Sequence, residues 1–233
     1  MASFVLVPGA WLGSWVWDRV APELEKKGHR AYPVTLTGMG ERVHLAGHGF
    51  GMETAVQDVL NVLRFNAIDR PVLVGHSFAG KVAAAVADRA HDKVHRVVYV
   101  DAFRPERVTE PQGGFDPQKE FGPAPAGTHA IPLTKEIVGR IGPDVQGADL
   151  RWMLELGTPW PIQLAIDPIT LTKNYDHVKE AYIFCRQSGD PVDEIVAGKW
   201  GKLDGPHTII DSGHWPMVTK PEQLADDLVK LAR

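Results

Sequence analysis

Residues 72–81 read VLVGHSFAGK. An apolar run ends at Gly75 and leads through a serine into small residues, which predicts a buried strand, a tight turn and a helix. Two motifs of different chemistry nearly fit the turn. The nucleophile elbow G-x-S-x-G fits except at Ala79, and the phosphate-binding loop G-x-x-x-x-G-K-[ST] fits except at Val82. A glycine-rich turn that merely exposes a serine is the third interpretation.

The two mismatches differ in their consequences. Ala79 adds one methyl group to an elbow, whereas Val82 cannot bind Mg²⁺ in place of the motif's hydroxyl. The turn also follows the third predicted strand, and a phosphate loop commonly follows the first. We therefore favour an elbow with Ser77 as nucleophile, and keep a nucleotide-binding domain that uses Gly75 to Lys81 as the alternative.

Short apolar runs alternate with helical spacing along the chain. The predicted strands are residues 4–7, 29–36, 71–74, 96–100, 181–185 and 208–210. The predicted helices are residues 14–27 (with Gly28 as the C-terminal cap), 52–66, 81–90 and 221–232. This alternation predicts an α/β fold of about six mostly parallel strands flanked by helices. Ligands of such sheets bind at the carboxyl ends of the strands.

The segment 103–178 interrupts the alternation. It is rich in proline and glycine and contains several short helical patterns. We interpret it as a helical cap inserted into a single domain spanning residues 1–233. Its apolar side chains suit a pocket wall: Phe121, Trp152, Leu156 and Trp160.

An elbow serine needs a base and an acid that orients the base. His214 follows the last predicted strand and is the candidate base. Asp101 ends the fourth strand, and Asp190 follows the fifth. Both carboxylates lie at the correct edge of the sheet, and either could be a turn or cap residue instead.

Two backbone amides should hold the oxyanion that forms during acyl transfer. One belongs to Phe78, directly after the nucleophile, and the other to Ala10, in the loop after the first strand. Gly9 lets that loop turn tightly. The expected pocket residues are Gly9, Trp11, His76, Trp152, Trp160 and Trp215.

Composition excludes several other classes of protein. The 233 residues include 25 Lys and Arg against 29 Asp and Glu, a net charge of −4 that does not favour binding to nucleic acid.

No run approaches 18 apolar residues and no signal peptide is evident, so we expect a soluble cytoplasmic protein with no membrane partner. The single cysteine, Cys185, excludes an internal disulfide. His44 and His48 lack an evident third ligand, so no metal site is expected.

Three segments together resemble the α/β-hydrolase superfamily over nearly the whole chain. They are FVLVPGAWLGSWVWDRVAPELEKKGH (4–29), GHSFAG (75–80) and GHWPMVTKPEQLA (213–225). Within the superfamily they are similar to the plant methyl-esterase and hydroxynitrile-lyase group and its bacterial esterase relatives. The resemblance implies a Ser-His-acid hydrolase that uses no metal or organic cofactor.

The chain departs from this group at the acid. The group's usual acid lies three residues after the cysteine of the fifth strand, and Ser188 occupies that position. The sequence VYVDA instead resembles superfamily members, such as some haloalkane dehalogenases, whose acid follows the preceding strand. This favours Asp101, with Asp190 as its rival.

Other departures concern the oxyanion loop and the lyase chemistry. Pro8-Gly9 replaces the group's His-Gly, and Ala79 replaces the last elbow glycine. The lyases carry a lysine where this chain has Trp215, and a threonine where it has Gly9. The lysine and threonine that the lyases use are absent from these two positions, so the resemblance implies ester hydrolysis.

We therefore expect a serine hydrolase that cleaves an ester of a small, largely apolar substrate through an acyl-enzyme. Lactonase, C–C hydrolase, lyase or cofactor-free dioxygenase chemistry on the same fold is one alternative. A non-catalytic binder of a small ligand is another. The expected partner is the small substrate, and a homodimer is left open.

Overall fold

The computed structural model of the protein describes residues 1–47, 49–102, 105, 116–199 and 203–233. Its strands are β1 (Ser3–Val7), β2 (Arg30–Pro33), β3 (Val72–His76), β4 (Arg96–Val100), β5 (Ala130–Ile131), β6 (Trp160–Pro161), β7 (Glu180–Cys185) and β8 (His207–Ile210). Its α-helices are α1 (Ala21–Lys26), α2 (Met52–Phe65), α3 (Ala79–Arg89), α4 (Pro117–Phe121), α5 (Lys135–Ile141), α6 (Gly147–Leu156), α7 (Ile162–Ile166), α8 (Val192–Val196), α9 (Pro216–Thr219) and α10 (Pro221–Leu231). Short 3-10 segments are Ser14–Trp17, Gly40–Leu45 and Lys173–His177.

The central sheet has six parallel strands in the order β2-β1-β3-β4-β7-β8 within the described residues. The inner strand β3 is buried along its whole length, because helices cover both faces of a parallel sheet. The predicted α/β fold with about six parallel strands is therefore confirmed. All six predicted strands are present, and β5 and β6 form an additional antiparallel pair that the pattern did not predict.

Two predicted elements are shorter than expected. The predicted helix 14–27 is a 3-10 turn (Ser14–Trp17) followed by α1, because Pro22 lacks an N–H and occupies the first turn of the new helix. Gly28, with φ of +81°, follows its end as predicted. The strand predicted at residues 29–36 is limited to β2, at the edge of the sheet.

The predicted cap segment carries α4 to α7 and the β5–β6 pair. Its beginning, residues 103–104 and 106–115, lies outside the described residues, as does His48. Leu156, predicted as a wall residue, is instead 38% exposed. The other three wall candidates are buried or partly buried in the described part of the cap: Phe121, Trp152 and Trp160.

Candidate active site

Ser77 lies in a two-residue turn between β3 and α3. Its φ of +56° is in the left-handed region, which costs a non-glycine residue on the order of 1–3 kcal/mol. The turn is tight: a methyl group at Gly75 would lie 2.7 Å from the Ala79 carbonyl oxygen. This geometry lifts the serine from the strand end and is typical of a nucleophile elbow.

The same turn argues against the phosphate-binding alternative. A phosphate loop wraps its anion with the backbone between its first glycine and its Gly-Lys pair. Here Gly75 still belongs to β3, and Gly80 already belongs to α3. Val82, where the motif needs a hydroxyl, is fully buried in the core.

His214 and Asp101 form a short hydrogen bond at the carboxyl edge of the sheet. The distance from His214 Nδ1 to Asp101 Oδ2 is 2.6 Å, and the Asp101 side chain is only 2% exposed. The other carboxylate oxygen, Oδ1, accepts hydrogen bonds from the Cys185 N–H and the Ser188 hydroxyl, each at 3.2 Å. Both oxygens are thus bonded, so the carboxylate is held in one orientation toward the imidazole.

Asp190 lies close to this pair without joining it. Partial desolvation and the Asp101 carboxylate raise the pKa of Asp190, and the His214 charge lowers it. Its side chain makes no hydrogen bond to His214 among the described residues. The structure therefore brings Asp101, and not Asp190, into contact with the imidazole.

His76, directly before Ser77, ties the elbow to the histidine loop. Its Nε2–H donates to the backbone carbonyl of His214 at 2.7 Å, so the proton is assigned to Nε2. Burial, and to a smaller extent the nearby His214 charge, lower the pKa of His76 well below its ordinary value. His76 is therefore neutral and acts as a fixed donor. Sequence reasoning placed it among the pocket residues and missed this contact.

The two predicted oxyanion donors belong to residues near Ser77: Phe78 follows it in the chain, and Ala10 follows Gly9, which lies against Ser77 Cβ. Ala10 and Phe78 are 4% and 3% exposed. Within the described part of the chain neither backbone N–H has an acceptor. Buried amides are usually paired, so two unpaired ones beside the elbow are suited to bind an anionic oxygen.

Gly9 sets how closely the Ala10 loop approaches the elbow. A methyl group at Gly9 would lie 2.6 Å from His76 Nδ1 and 2.9 Å from Ser77 Cβ. We predict that Gly9→Ala displaces the loop and lowers kcat by about 10²-fold, since small misplacements have effects of this size. Gly139→Ala is the matched control, because a methyl group there meets nothing within 4 Å. Steady-state ester hydrolysis measures both, and equal rates for the two variants would contradict the prediction.

Aromatic residues from the loops that follow β1 and β3 meet aromatic residues of the predicted cap segment around the elbow. The Trp160 ring packs against Phe78 and Trp11 at centroid distances of 5.2 and 5.6 Å, and Trp11 lies 5.0 Å from Phe121. The Trp11 indole N–H donates to the Ile131 carbonyl in β5. The predicted cap segment therefore contacts Trp11, in the loop that carries Ala10.

The remaining predicted pocket residues are placed differently. Trp215 is buried, and its ring lies 5.4 Å from that of His214. Trp152 instead packs on Trp15 at 4.9 Å and under the Arg19 guanidinium at 4.6 Å. No contact described for Trp152 reaches Ser77 or His214, so the structure does not bring it to the candidate site.

Ser188 was not assigned a role from the sequence. It occupies the position of the related group's usual acid, and the single proton of its hydroxyl is within reach of two acceptors, Asp101 Oδ1 at 3.2 Å and the Cys185 carbonyl at 3.0 Å. The signal was its spacing from Cys185, but its partner became visible only in three dimensions.

The Cys185 thiol lies beside the same carboxylate. Burial, and to a smaller extent the Asp101 charge, raise the pKa of this thiol well above its ordinary value, so it stays protonated.

Two other features are absent from the described residues. No group of three or more His, Cys, Asp or Glu side chains there is arranged to hold a metal ion. No described helix is long and apolar enough to cross a membrane.

Comparison with known proteins places the chain in a family. The model of the alpha/beta hydrolase family matches residues 4–227. A carbendazim-hydrolysing esterase from Nocardioides is 33% identical over 99% of this chain and 100% of its own, and methylesterase 9 from Arabidopsis thaliana is 29% identical over 100% and 98%. The protein belongs to the alpha/beta hydrolase family.

Solved structures agree on the fold. An extracellular α/β-hydrolase from a Paenibacillus species superimposes with a TM-score of 0.81 at 21% identity, covering 100% of both chains. A methylesterase from Arabidopsis gives a TM-score of 0.80 at 19% identity, covering 99% of this chain and 98% of its own. The resemblance inferred from the three sequence segments is confirmed.

Proposed function

We propose that this protein is a serine esterase in which Ser77, His214 and Asp101 form the catalytic triad. The observation that carries the proposal is the His214–Asp101 hydrogen bond at the strand edge where Ser77 occupies a left-handed elbow. The expected enzyme class, a hydrolase of the carboxylesterase type, is confirmed by the family match and the esterase relatives. Their names also support an ester as the substrate.

Acylation uses His214 as general base. Its Nε2 takes the proton of the Ser77 hydroxyl while Oγ forms a bond to the ester carbonyl carbon. The carbonyl π electrons move to the oxygen, which the Phe78 and Ala10 amides stabilise as an oxyanion. The C–O bond to the alcohol then breaks as His214 returns the proton to the leaving oxygen.

Deacylation repeats these steps with water. His214 takes a proton from water, the resulting hydroxyl attacks the acyl carbon, and Ser77 leaves with the proton returned to it. Asp101 accepts the hydrogen bond from His214 Nδ1 and stabilises the imidazolium that forms twice per turnover. The Cys185 amide and the Ser188 hydroxyl hold that carboxylate in place.

A small, largely apolar substrate is favoured by the residues beside the elbow. In this proposal the pocket walls are the aromatic rings of Trp11, Phe78, Phe121 and Trp160, which pack on one another beside Ser77. In this proposal the segment from about 103 to 178 is the cap of a single domain, 1–233, and covers the acyl or alcohol group. The cytoplasmic location and a homodimer remain predictions.

Covalent labelling separates an esterase from a binder that only uses the pocket. Diethyl p-nitrophenyl phosphate should transfer its diethylphosphoryl group to Ser77 Oγ and release p-nitrophenol in equal amount. Mass spectrometry of the peptide that contains Ser77 measures the product. If Ser77 is not labelled and the protein also does not hydrolyse p-nitrophenyl acetate, the proposal is contradicted and the non-catalytic binder is favoured.

A further inference from the structure

Residues 141–144 comprise the last residue of α5 and the turn that follows it in the cap. They lie directly against the base loop, which we define as residues 211–219. The His214 N–H donates to the Ile141 carbonyl at 2.9 Å. The Thr219 hydroxyl at the other end of the base loop donates to Asp144 Oδ2 at 2.7 Å. Two hydrogen bonds therefore join the cap to the loop that carries the base.

Close packing between these two segments reinforces the bonds. A methyl group at Gly213 would lie 2.6 Å from Gly142 Cα and would collide with Asp144 Oδ1. A methyl group at Gly142 would overlap the indole of Trp215. The backbones can approach so closely only because both positions are glycine.

Both backbone polar groups of His214 are thereby engaged. Its N–H bonds to the cap, and its carbonyl accepts from His76 in the elbow. The imidazole is held separately by Asp101. The position of the base relative to Ser77 thus depends on the cap as well as on the sheet.

Asp144 is the unusual member of this contact. Its Oδ1 is buried and has no hydrogen-bond donor among the described residues, while Oδ2 accepts from Thr219. Leaving a buried carboxylate oxygen unpaired is destabilising. A residue placed at such a cost beside Gly213 is a candidate for a functional role.

We propose that Asp144 is a positioning residue, which holds the base loop against the cap through Thr219 and thereby sets the distance between His214 and Ser77. The inference rests on the proposed function, since it assigns His214 the role of base. In this arrangement the cap contributes to catalysis without supplying a reacting group. Movement of the cap displaces His214 together with the base loop.

Paired substitutions at Asp144 and Thr219 test the hydrogen bond between these two side chains. Asp144→Ala and Thr219→Val remove it, whereas Asp144→Asn and Thr219→Ser keep an acceptor and a donor. We expect the first two to lower kcat for p-nitrophenyl acetate by about tenfold, with KM within about twofold, since small misplacements of a catalytic group have large effects. The two conservative variants should stay close to the wild-type protein. The Asp144→Ala/Thr219→Val double variant should be no worse than either single one, because both remove the same bond.

Thr134→Ala is the matched control in the cap. The Thr134 side chain caps the other end of α5 by accepting from the Ile137 N–H, and this variant should keep the wild-type kcat. An Asp144→Asn variant as slow as Asp144→Ala, or wild-type kcat in both Asp144→Ala and Thr219→Val, would overturn the proposal.

A second measurement does not depend on catalysis. The NMR signal of the His214 Nδ1 proton reports its hydrogen bond to Asp101, and we expect it to shift or broaden in Asp144→Ala and Thr219→Val but not in Thr134→Ala. An unchanged signal in both variants overturns the inference. If the wild-type protein hydrolyses no ester, the proposed function fails, and this signal still tests whether Asp144 positions the base.

Discussion

Replacing Ser77 by alanine is expected to lower ester hydrolysis by about 10⁴-fold or more, to near the rate supported by binding and the oxyanion amides alone. The reason is chemical, since alanine has no oxygen to form the acyl-enzyme. Folding should be little affected, because the backbone bonds of Ser77 to Val100 and Gly80 remain. Turnover of p-nitrophenyl acetate under steady-state conditions is the measurement.

Ser3→Ala is a suitable control for this experiment, because Ser3 lies at the start of β1, away from the elbow. Thermal unfolding should show similar midpoints for the wild-type protein and both variants. A Ser77→Ala protein that keeps the wild-type rate would refute Ser77 as the nucleophile. The nucleotide-binding alternative predicts instead a Mg-ATP-dependent rise in midpoint that Lys81→Ala removes.

The second large effect is expected at Asp101. Oδ1 accepts from the Cys185 N–H, which is fixed in the backbone, and Oδ2 accepts from His214. Asparagine can offer only one acceptor oxygen to these two donors. If the amide group faces His214, it stabilises the tautomer protonated on Nε2, which cannot take the proton of Ser77.

Asp101→Asn should therefore lower kcat by about 10⁴-fold, the size known for the corresponding change in a serine-protease triad. Asp190→Asn should change kcat by less than about threefold, because Asp190 does not bond His214. Ser188→Ala should fall between them, at about tenfold, since it removes one of the two donors to Oδ1. Steady-state kinetics on one ester compares all three, and a large loss confined to Asp190→Asn would make Asp190 the acid.

Local patterns were sufficient to predict the strands of the sheet and most of the longer helices that flank it. Most of the predicted strands are short apolar runs, and β4 was found at its predicted residues. The predicted helix at residues 14–27 was wrong in extent, because its apolar spacing continues through Pro22 while the backbone cannot. The cap pair β5–β6 was missed because strands of two residues have no periodicity to detect.

The candidate site was predictable where its members follow strands. The spacing around Ser77 and the chain order that ends in His214 both arise from local sequence. The contacts of Trp152 were not predictable, since an aromatic residue in a cap helix can face either the pocket or, as here, Trp15 and Arg19. Burial of an aromatic side chain does not say which surface it packs on.

By itself the sequence determined the family, the strand-turn-helix elbow and the order of the candidate serine and base. The family segments and the elbow depend on residues close together in the chain, and the order of the serine and the base is read directly along it. The tertiary structure alone decided which carboxylate meets the imidazole, because Asp101 and His214 are 113 residues apart and approach through the pairing of β4 with β7 and β7 with β8. It also showed that Asp144, in the cap, bonds the loop that carries the base. Such contacts arise from strand order and cap packing, which no local pattern encodes.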